Sequence, residues 1–199
     1  AGLDRESAQR VLQALEFAVF DWEYEDIHLY DITEAEEVAV ERSGGDSTYG
    51  EITPAALDWL IDNLDIGPDD VICDLGSGCA RALVYVALRT GCRCLGLELS
   101  PTRHRTAQTL RDLALPLLSS PVELWQADIT LEGPQAEATV VVITNELFSP
   151  EFTRKALATA PAARAILANR PIPGLGWKHT TGEVPMSWHP RQTVHLYTR

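Results

Sequence analysis

The sequence lacks three features, and each absence excludes a class of protein. Its 199 residues contain no apolar run near the roughly 18 residues that a membrane-spanning helix needs, and its start lacks the basic-then-apolar layout of a signal peptide. Its four cysteines are Cys73, Cys79, Cys92 and Cys94. Cys92 and Cys94 form a close pair, but the sequence has neither a second such pair nor a histidine cluster at the spacing of a zinc site. We therefore expect no membrane segment, no bound metal, and buried free thiols in a reducing intracellular compartment, cytoplasmic or nuclear.

Basic residues are also scarce. The chain has 16 Lys and Arg against 29 Asp and Glu, a net charge of −13, and acidic residues crowd between Asp21 and Glu41. Such a field repels a phosphate backbone, so we expect no direct nucleic-acid binding by this domain. It attracts a cationic partner such as a basic protein segment, although an acidic surface that serves solubility alone is an equally open interpretation.

Local patterns predict one α/β domain that follows a helical lead. Residues 1–45 form this lead, with an apolar stripe from Val11 to Phe20 and a capping box of Thr33 with Glu36, and we expect it to pack on the core. Residues 46–199 form the domain itself. In it we predict helices at 54–64, 80–90, 101–113 and 150–159, strands at 71–74, 94–98, 122–125, 138–144 and 165–167, and a final hairpin of 182–188 with 192–197. This alternation predicts a doubly wound α/β fold whose mostly parallel sheet has an antiparallel C-terminal edge.

A glycine-rich turn follows the first predicted strand. Gly76, Ser77 and Gly78 let the turn tighten and let a ligand approach bare backbone. Arg81 stands where a dinucleotide-binding turn has its last glycine, and the P-loop lysine is absent. Asp74, directly before the turn, would repel a pyrophosphate but attract the ammonium of a methionine moiety. The turn therefore favours S-adenosylmethionine (SAM) as the ligand.

Acidic residues also close the next two strands. Glu98, beside Leu99, ends the second strand, where a carboxylate can accept hydrogen bonds from both ribose hydroxyls. Asp128 follows the third strand and can accept from the adenine amine while Ile129 packs on the ring. An ordered set of three carboxylates behind a Gly-x-Gly turn strengthens the prediction of a SAM site.

Four segments together resemble one family. They are Tyr49-Gly50-Glu51, the run DLGSG from Asp74, the run TNELFSPE from Thr144, and Ser187-Trp188 near the end. In this order they resemble the Dot-one (disruptor of telomeric silencing) family of histone-lysine methyltransferases, over roughly residues 46–199. The resemblance implies a Rossmann-like class I methyltransferase fold with a seven-stranded sheet, and conversion of SAM to S-adenosyl-L-homocysteine.

The resemblance also implies roles for individual residues. Glu51 would join the SAM site, and Tyr49, Asn145, Phe148 and Trp188 would line the channel through which a lysine reaches the methyl group. Tyr49 and Asn145 would also contact the cofactor. Aromatic walls accept the apolar lysine stem and lower the pKa of its amine by desolvation, and Asn145 offers an oxygen that can orient the amine.

Departures from the family pattern keep other interpretations open. Ala80 and Arg81 replace a usual Gly and Gln, so the contact with the methionine carboxylate is either made by Arg81 instead or absent, and Glu146 is charged where an apolar residue is common. The leading hypothesis is a SAM-dependent protein-lysine N-methyltransferase acting on a histone or another basic protein. The alternatives are a small-molecule O- or N-methyltransferase, and a catalytically weak methyltransferase fold kept as a binding module.

Overall fold

A computed structural model describes residues 2–20, 32–48 and 50–199. These residues place seven strands in one sheet: β1 (Val71–Leu75), β2 (Arg93–Glu98), β3 (Val122–Gln126), β4 (Val140–Ile143), β5 (Ala165–Ala168), β6 (Lys178–Val184) and β7 (Gln192–Thr198). The strand order is β3-β2-β1-β4-β5-β7-β6. Strands β1 to β5 pair in parallel, and β7 is antiparallel to both β5 and β6. The predicted doubly wound sheet with an antiparallel edge is confirmed.

Six α-helices surround the sheet in the described part of the chain. They are α1 (Arg5–Val19), α2 (Glu34–Arg42), α3 (Pro54–Asn63), α4 (Arg81–Thr90), α5 (Pro101–Ala114) and α6 (Pro150–Ala158). Because helices cover both faces, every residue of β4 and β5 is buried, which explains why these strands are continuous apolar runs. Caps set the helix ends as predicted: the Thr33–Glu36 capping box opens α2, Thr53 caps α3, and a left-handed Gly91 closes α4.

Helix α1 packs against α4 and α5. Ala8, Leu12 and Leu15 belong to the main core cluster. Phe17 does not follow the predicted apolar stripe, since it is 72% exposed. Its position two residues after Leu15 turns it about 200° away from the buried face of a 3.6-residue helix. The helical lead therefore contributes to the core, while a domain boundary at residue 45 stays a prediction.

The first strand of the C-terminal hairpin was wrongly predicted at 182–188. It runs from Lys178 to Val184, and its register pairs Lys178 with Thr198 and Val184 with Gln192. Pro185 follows at once, and a proline has no backbone N–H with which to continue the ladder. Residues 185–191 consequently form a loop, and this loop carries Trp188 to the carboxyl edge of the sheet.

All four cysteines are buried and free of disulfides, as predicted. In the part of the chain that the structure describes, no helix combines the length and apolar character needed to cross a membrane. The same residues bring together no group of three or more His, Cys, Asp or Glu side chains suited to a metal ion.

Candidate active site

A cavity of about 350 Å³ opens at the carboxyl ends of β1 to β4. Parallel strands all end at this edge, so the residues that follow them meet in one place. The cavity has four walls: the glycine-rich turn after β1, the residues after β2 and β3, the residues after β4 together with Trp188, and the helical lead with the segment that follows it.

The glycine-rich turn connects β1 to α4 and lies against the end of β2. The N–H groups of Gly76 and Ser77 both donate to the carbonyl of Leu97 at 2.9 Å. Gly76 has φ 90°, and a Cβ atom there would meet nothing within 4 Å, so bare backbone faces open space. Gly76, Ser77 and Gly78 line the cavity, which agrees with the close ligand approach predicted from their sequence.

Ala80 ends this turn in a conformation that few side chains adopt. Its φ is 63°, the only positive φ of a non-glycine residue among the described ones. A left-handed alanine costs about 1–2 kcal/mol relative to the right-handed region. The predicted helix start at Ala80 is therefore one residue early, because this left-handed residue is the N-cap of α4.

Buried carboxylates line the cavity next to the glycine-rich turn. Asp74 and Glu98 are only 6% and 8% exposed, and both line the cavity together with Glu51. Burial raises the pKa of Asp74 to about 8, and the negative charges of Glu98 and Glu51 contribute to this rise. Burial also raises the pKa of Glu98, although the N–H of Ser100, 3.0 Å from its Oε2, opposes that rise. Such a site favours a cationic ligand.

The wall beyond β2 and β3 contains the other residues predicted to bind the nucleoside. Leu99, Asp128 and Ile129 all line the cavity. The backbone N–H and the hydroxyl of Thr130 donate to Oδ1 of Asp128 at 2.8 and 2.7 Å, which fixes the orientation of this carboxylate. Asp74, Glu98 and Asp128 thus border one cavity, as expected from their positions at the ends of three successive strands.

The fourth wall of the cavity comes from the helical lead and the segment that follows it. Val40 of α2 and the following segment 43–48 line the cavity, and Arg103 of α5 donates to the carbonyl of Ser47 at 2.7 Å. Glu36, expected only as a capping residue, also accepts from the N–H of Thr102 at 2.7 Å. No local sequence pattern predicts such contacts, because they link residues more than 50 positions apart.

The residues after β4 and the loop after β6 form the third wall. Phe148 lines it, with its ring 4.7 Å from that of Phe152 in an edge-to-face arrangement. Trp188, 37% exposed, packs on Gly50, where an added Cβ would lie 3.1 Å from the indole ring. The N–H of Glu51 donates to the Ser187 hydroxyl at 3.0 Å, so the Tyr-Gly-Glu and Ser-Trp motifs are in direct contact.

Arg81 lies outside the cavity lining. Its guanidinium donates to Glu16 of α1 at 2.9 Å and to Glu51 at 2.8 Å, and it lies over the Phe20 ring at 5.6 Å. These carboxylates hold the side chain between α1 and the cavity wall. The expected contact with a methionine carboxylate therefore has no support from this placement.

Asn145 and Tyr49 are the remaining predicted site residues. Asn145 is 3% exposed, and its carboxamide oxygen accepts from the N–H of Arg170 at 2.9 Å. It lines a second cavity of about 340 Å³, next to the first, because its side chain turns toward the residues after β5. Tyr49 lies outside the described residues.

Comparison with known proteins adds to this geometry. The family model of histone methylation protein DOT1 matches residues 30–160. The histone-lysine N-methyltransferase, H3 lysine-79 specific, of Cryptococcus neoformans var. neoformans is 32% identical over 124 residues, which is 57% of this chain and 19% of that protein. The protein of the same name from Caenorhabditis elegans is 41% identical over 70 residues, 35% of this chain and 7% of that protein. The chain thus spans about a fifth or less of the length of these relatives.

Solved structures share the fold at low sequence identity. An RNA methyltransferase from Salinibacter ruber, in complex with S-adenosyl-L-homocysteine, has a TM-score of 0.57 and 22% identity, covering 74% of this chain and 92% of its own. Magnesium protoporphyrin IX methyltransferase from Synechocystis PCC 6803, with bound SAM, has a TM-score of 0.56 and 16% identity, covering 100% and 99%. These likenesses confirm the Rossmann-like methyltransferase fold.

Proposed function

The chain belongs to the family of histone methylation protein DOT1, and from that premise we propose that it is a SAM-dependent protein-lysine N-methyltransferase. The family membership confirms the resemblance drawn from the sequence. One observation carries the proposal: a single cavity joins buried carboxylates at successive strand ends to a wall with Phe148 and Trp188. The proposed substrate is a histone, a basic protein that the net charge of −13 attracts. A histone substrate would place the activity in the nucleus.

The residues present fit SAM as the cofactor. The cavity of about 350 Å³ lies within the range of small-molecule sites. Its raised carboxyl pKa values favour a ligand that carries positive charge, as SAM does on its ammonium and sulfonium. Asp74 and Glu51 would bind the ammonium, Glu98 and Leu99 the ribose, and Asp128 with Ile129 the adenine. Bound there, SAM would supply an activated methyl group.

The chain's own task in the reaction is to position and desolvate the acceptor. Phe148 and Trp188, together with Tyr49 by the family resemblance, would surround the apolar stem of a lysine. Desolvation lowers the pKa of the lysine amine, which must be neutral to attack. Asn145 would support this wall from behind, through its hydrogen bonds to Asn169 and Arg170.

A labelling experiment tests this proposal. The purified chain is incubated with methyl-tritiated SAM and recombinant nucleosomes, and SAM binding is measured separately by calorimetry. We expect label in histone H3, and weaker SAM binding together with loss of label in Asp74→Asn. Nucleosomes whose H3 has arginine in place of lysine-79 test the site named for the relatives. SAM binding without label in any histone would contradict the proposed substrate, and absence of SAM binding would contradict the proposed enzyme class.

A further inference from the structure

Glu146 occupies the acceptor side of the main cavity. The sheet order places β4 on the side of β1 opposite to β2 and β3, so residues after β4 lie away from the proposed nucleoside wall. Glu146 follows β4 by three residues and lines the main cavity next to Phe148. It also lines the second cavity, and thus stands between the two. Its neighbour Asn145, expected to orient the amine, instead directs its carboxamide to Arg170.

The carboxylate of Glu146 accepts hydrogen bonds from two donors in the segment that follows β5. The Asn169 amide donates to its Oε2 at 2.5 Å, and the Arg170 guanidinium donates to its Oε1. An ionised carboxylate has about four acceptor positions, so two of them are still available to another donor. The side chain is 23% exposed, which makes it reachable from the cavity while most of it stays shielded from water.

Further hydrogen bonds, which pass through Asn169, connect Glu146 to the wall that contains Trp188. The backbone carbonyl of Asn169 accepts from the Gln192 amide at 3.3 Å, and the Gln192 side-chain oxygen accepts from the Trp188 indole N–H at 3.3 Å. The Asn169 side-chain oxygen accepts from the backbone N–H of Asn145 at 2.6 Å. The carboxylate and the indole ring therefore belong to one hydrogen-bond network, which supports the preorganisation that an acceptor site needs.

We propose that Glu146 is the acceptor-binding residue of this enzyme, with its carboxylate accepting an N–H of the substrate lysine at the channel opening. This inference rests on the proposed function and names the charge that selects a cationic acceptor. Glu146 first attracts the lysine ammonium, whose proton leaves to solvent before attack. The neutral amine then keeps two N–H groups, and donation of one to Glu146 directs its lone pair.

The charge movement during transfer favours the same residue. The nitrogen lone pair forms the N–C bond while the S–C electron pair returns to sulfur, so the positive charge moves from sulfur to nitrogen. A carboxylate beside the nitrogen stabilises that charge as it develops. Glu146 therefore binds the transition state more strongly than the neutral amine, and its removal lowers kcat as well as raising KM.

Glu146→Gln tests the inference with nucleosomal H3 as the acceptor, because it removes the charge and nearly keeps the shape. We expect kcat/KM to fall at least about tenfold, the usual effect of losing a hydrogen bond to a charged group, while the Kd for SAM stays within about twofold. A carboxylate also raises the pKa of a nearby lysine amine. The rising limb of the kcat pH profile, which reports groups in the enzyme–substrate complex, should therefore shift to lower pH in Glu146→Gln, a change that a purely structural role would not cause.

Two further variants act as controls. Glu146→Asp keeps the charge and should restore part of the lost activity, together with the wild-type pH limb. Glu151→Gln alters an exposed acidic residue of the same segment, outside both cavity linings, and should leave activity unchanged. Wild-type kcat/KM and pH limb in Glu146→Gln, or equal losses in Glu146→Asp and Glu146→Gln with SAM binding intact, would overturn the inference alone. A wild-type chain that binds SAM but labels no histone would overturn the proposed substrate and this inference with it.

Discussion

The raised pKa of Asp74 predicts that cofactor binding depends on pH and releases a proton. The Asp74 carboxyl is buried next to Glu98 and Glu51, and its pKa of about 8 means that it is mostly protonated at pH 7 in the free protein. A ligand ammonium interacts favourably only with the ionised form. Binding therefore has to remove the proton, and affinity should rise as the pH rises toward 8.

The size of the effect follows from the ionised fraction. With a pKa of about 8, roughly 1 in 100 carboxyls is ionised at pH 6 and roughly 1 in 11 at pH 7. The affinity for SAM should then increase about ninefold over this interval, with about 0.9 proton released per ligand at pH 7. Both pH values lie below the usual α-amino pKa of about 7.7, so the ligand's own ammonium stays largely protonated.

Calorimetry measures both quantities. Titrations with SAM at pH 6 and pH 7, each in two buffers of different ionisation enthalpy, give the affinity and the number of protons released. Asp74→Asn is the control: it should bind more weakly and lose most of the pH dependence, leaving what Glu98 contributes. An affinity that is unchanged between pH 6 and pH 7, with no proton released, would show that Asp74 is ionised in the free protein and would refute the reasoning.

Two further predictions concern the helical lead. Burial alone would raise the pKa of Glu36, but hydrogen bonds from Thr33 and Thr102 outweigh burial and lower this pKa to about 2. Glu36 therefore stabilises the fold above its ordinary pKa of 4.5, and this contribution is lost as the pH falls through about 2. Glu36→Gln should lower the unfolding free energy by about 1–3 kcal/mol at pH 7 and by much less at pH 3, as measured by urea denaturation; equal losses at both pH values would contradict this. Glu16→Gln should weaken SAM binding roughly fivefold, although Glu16 lies outside the cavity lining. The loss of the Glu16–Arg81 ion pair would let Arg81 shift from the position in which it compensates Glu51 of the cavity. The control Glu6→Gln, at an exposed position of the same helix, should bind SAM as the wild type does.

Much of the fold could be predicted because its signals are local. The apolar run of β4, the proline and threonine that open α3, and the glycine that closes α4 each specify one element by its own residues. The strand β6 could not be found this way, since Lys178–Thr181 is polar and exposed and becomes a strand only by pairing with β7. An edge strand of this kind depends on its partner and carries little pattern of its own.

The carboxylates at the strand ends were predictable for a related reason. Asp74 lies near the end of β1, Glu98 ends β2, and Asp128 comes shortly after β3. Once these strands are parallel and adjacent, the three carboxylates must meet at one edge of the sheet, whatever the packing of the helices. The side chains of Arg81 and Asn145 obey no such rule. Each makes the contacts that neighbouring elements offer, and those elements, α1 and the end of β5, are distant in sequence.

The placement of Arg81 has a physical cause that also explains why the sequence could not reveal it. Three buried or half-buried carboxylates, those of Glu51, Asp74 and Glu98, share one cavity, and burial of so much negative charge is costly without cations. Arg81 compensates Glu51 from outside the lining, and Glu16 holds Arg81 in that position. No cation among the described residues forms an ion pair with Asp74, and burial raises the pKa of Asp74 instead. Asp74 is therefore the carboxyl of the cavity that stays mostly protonated until a cation arrives, and the ammonium of the ligand would be that cation.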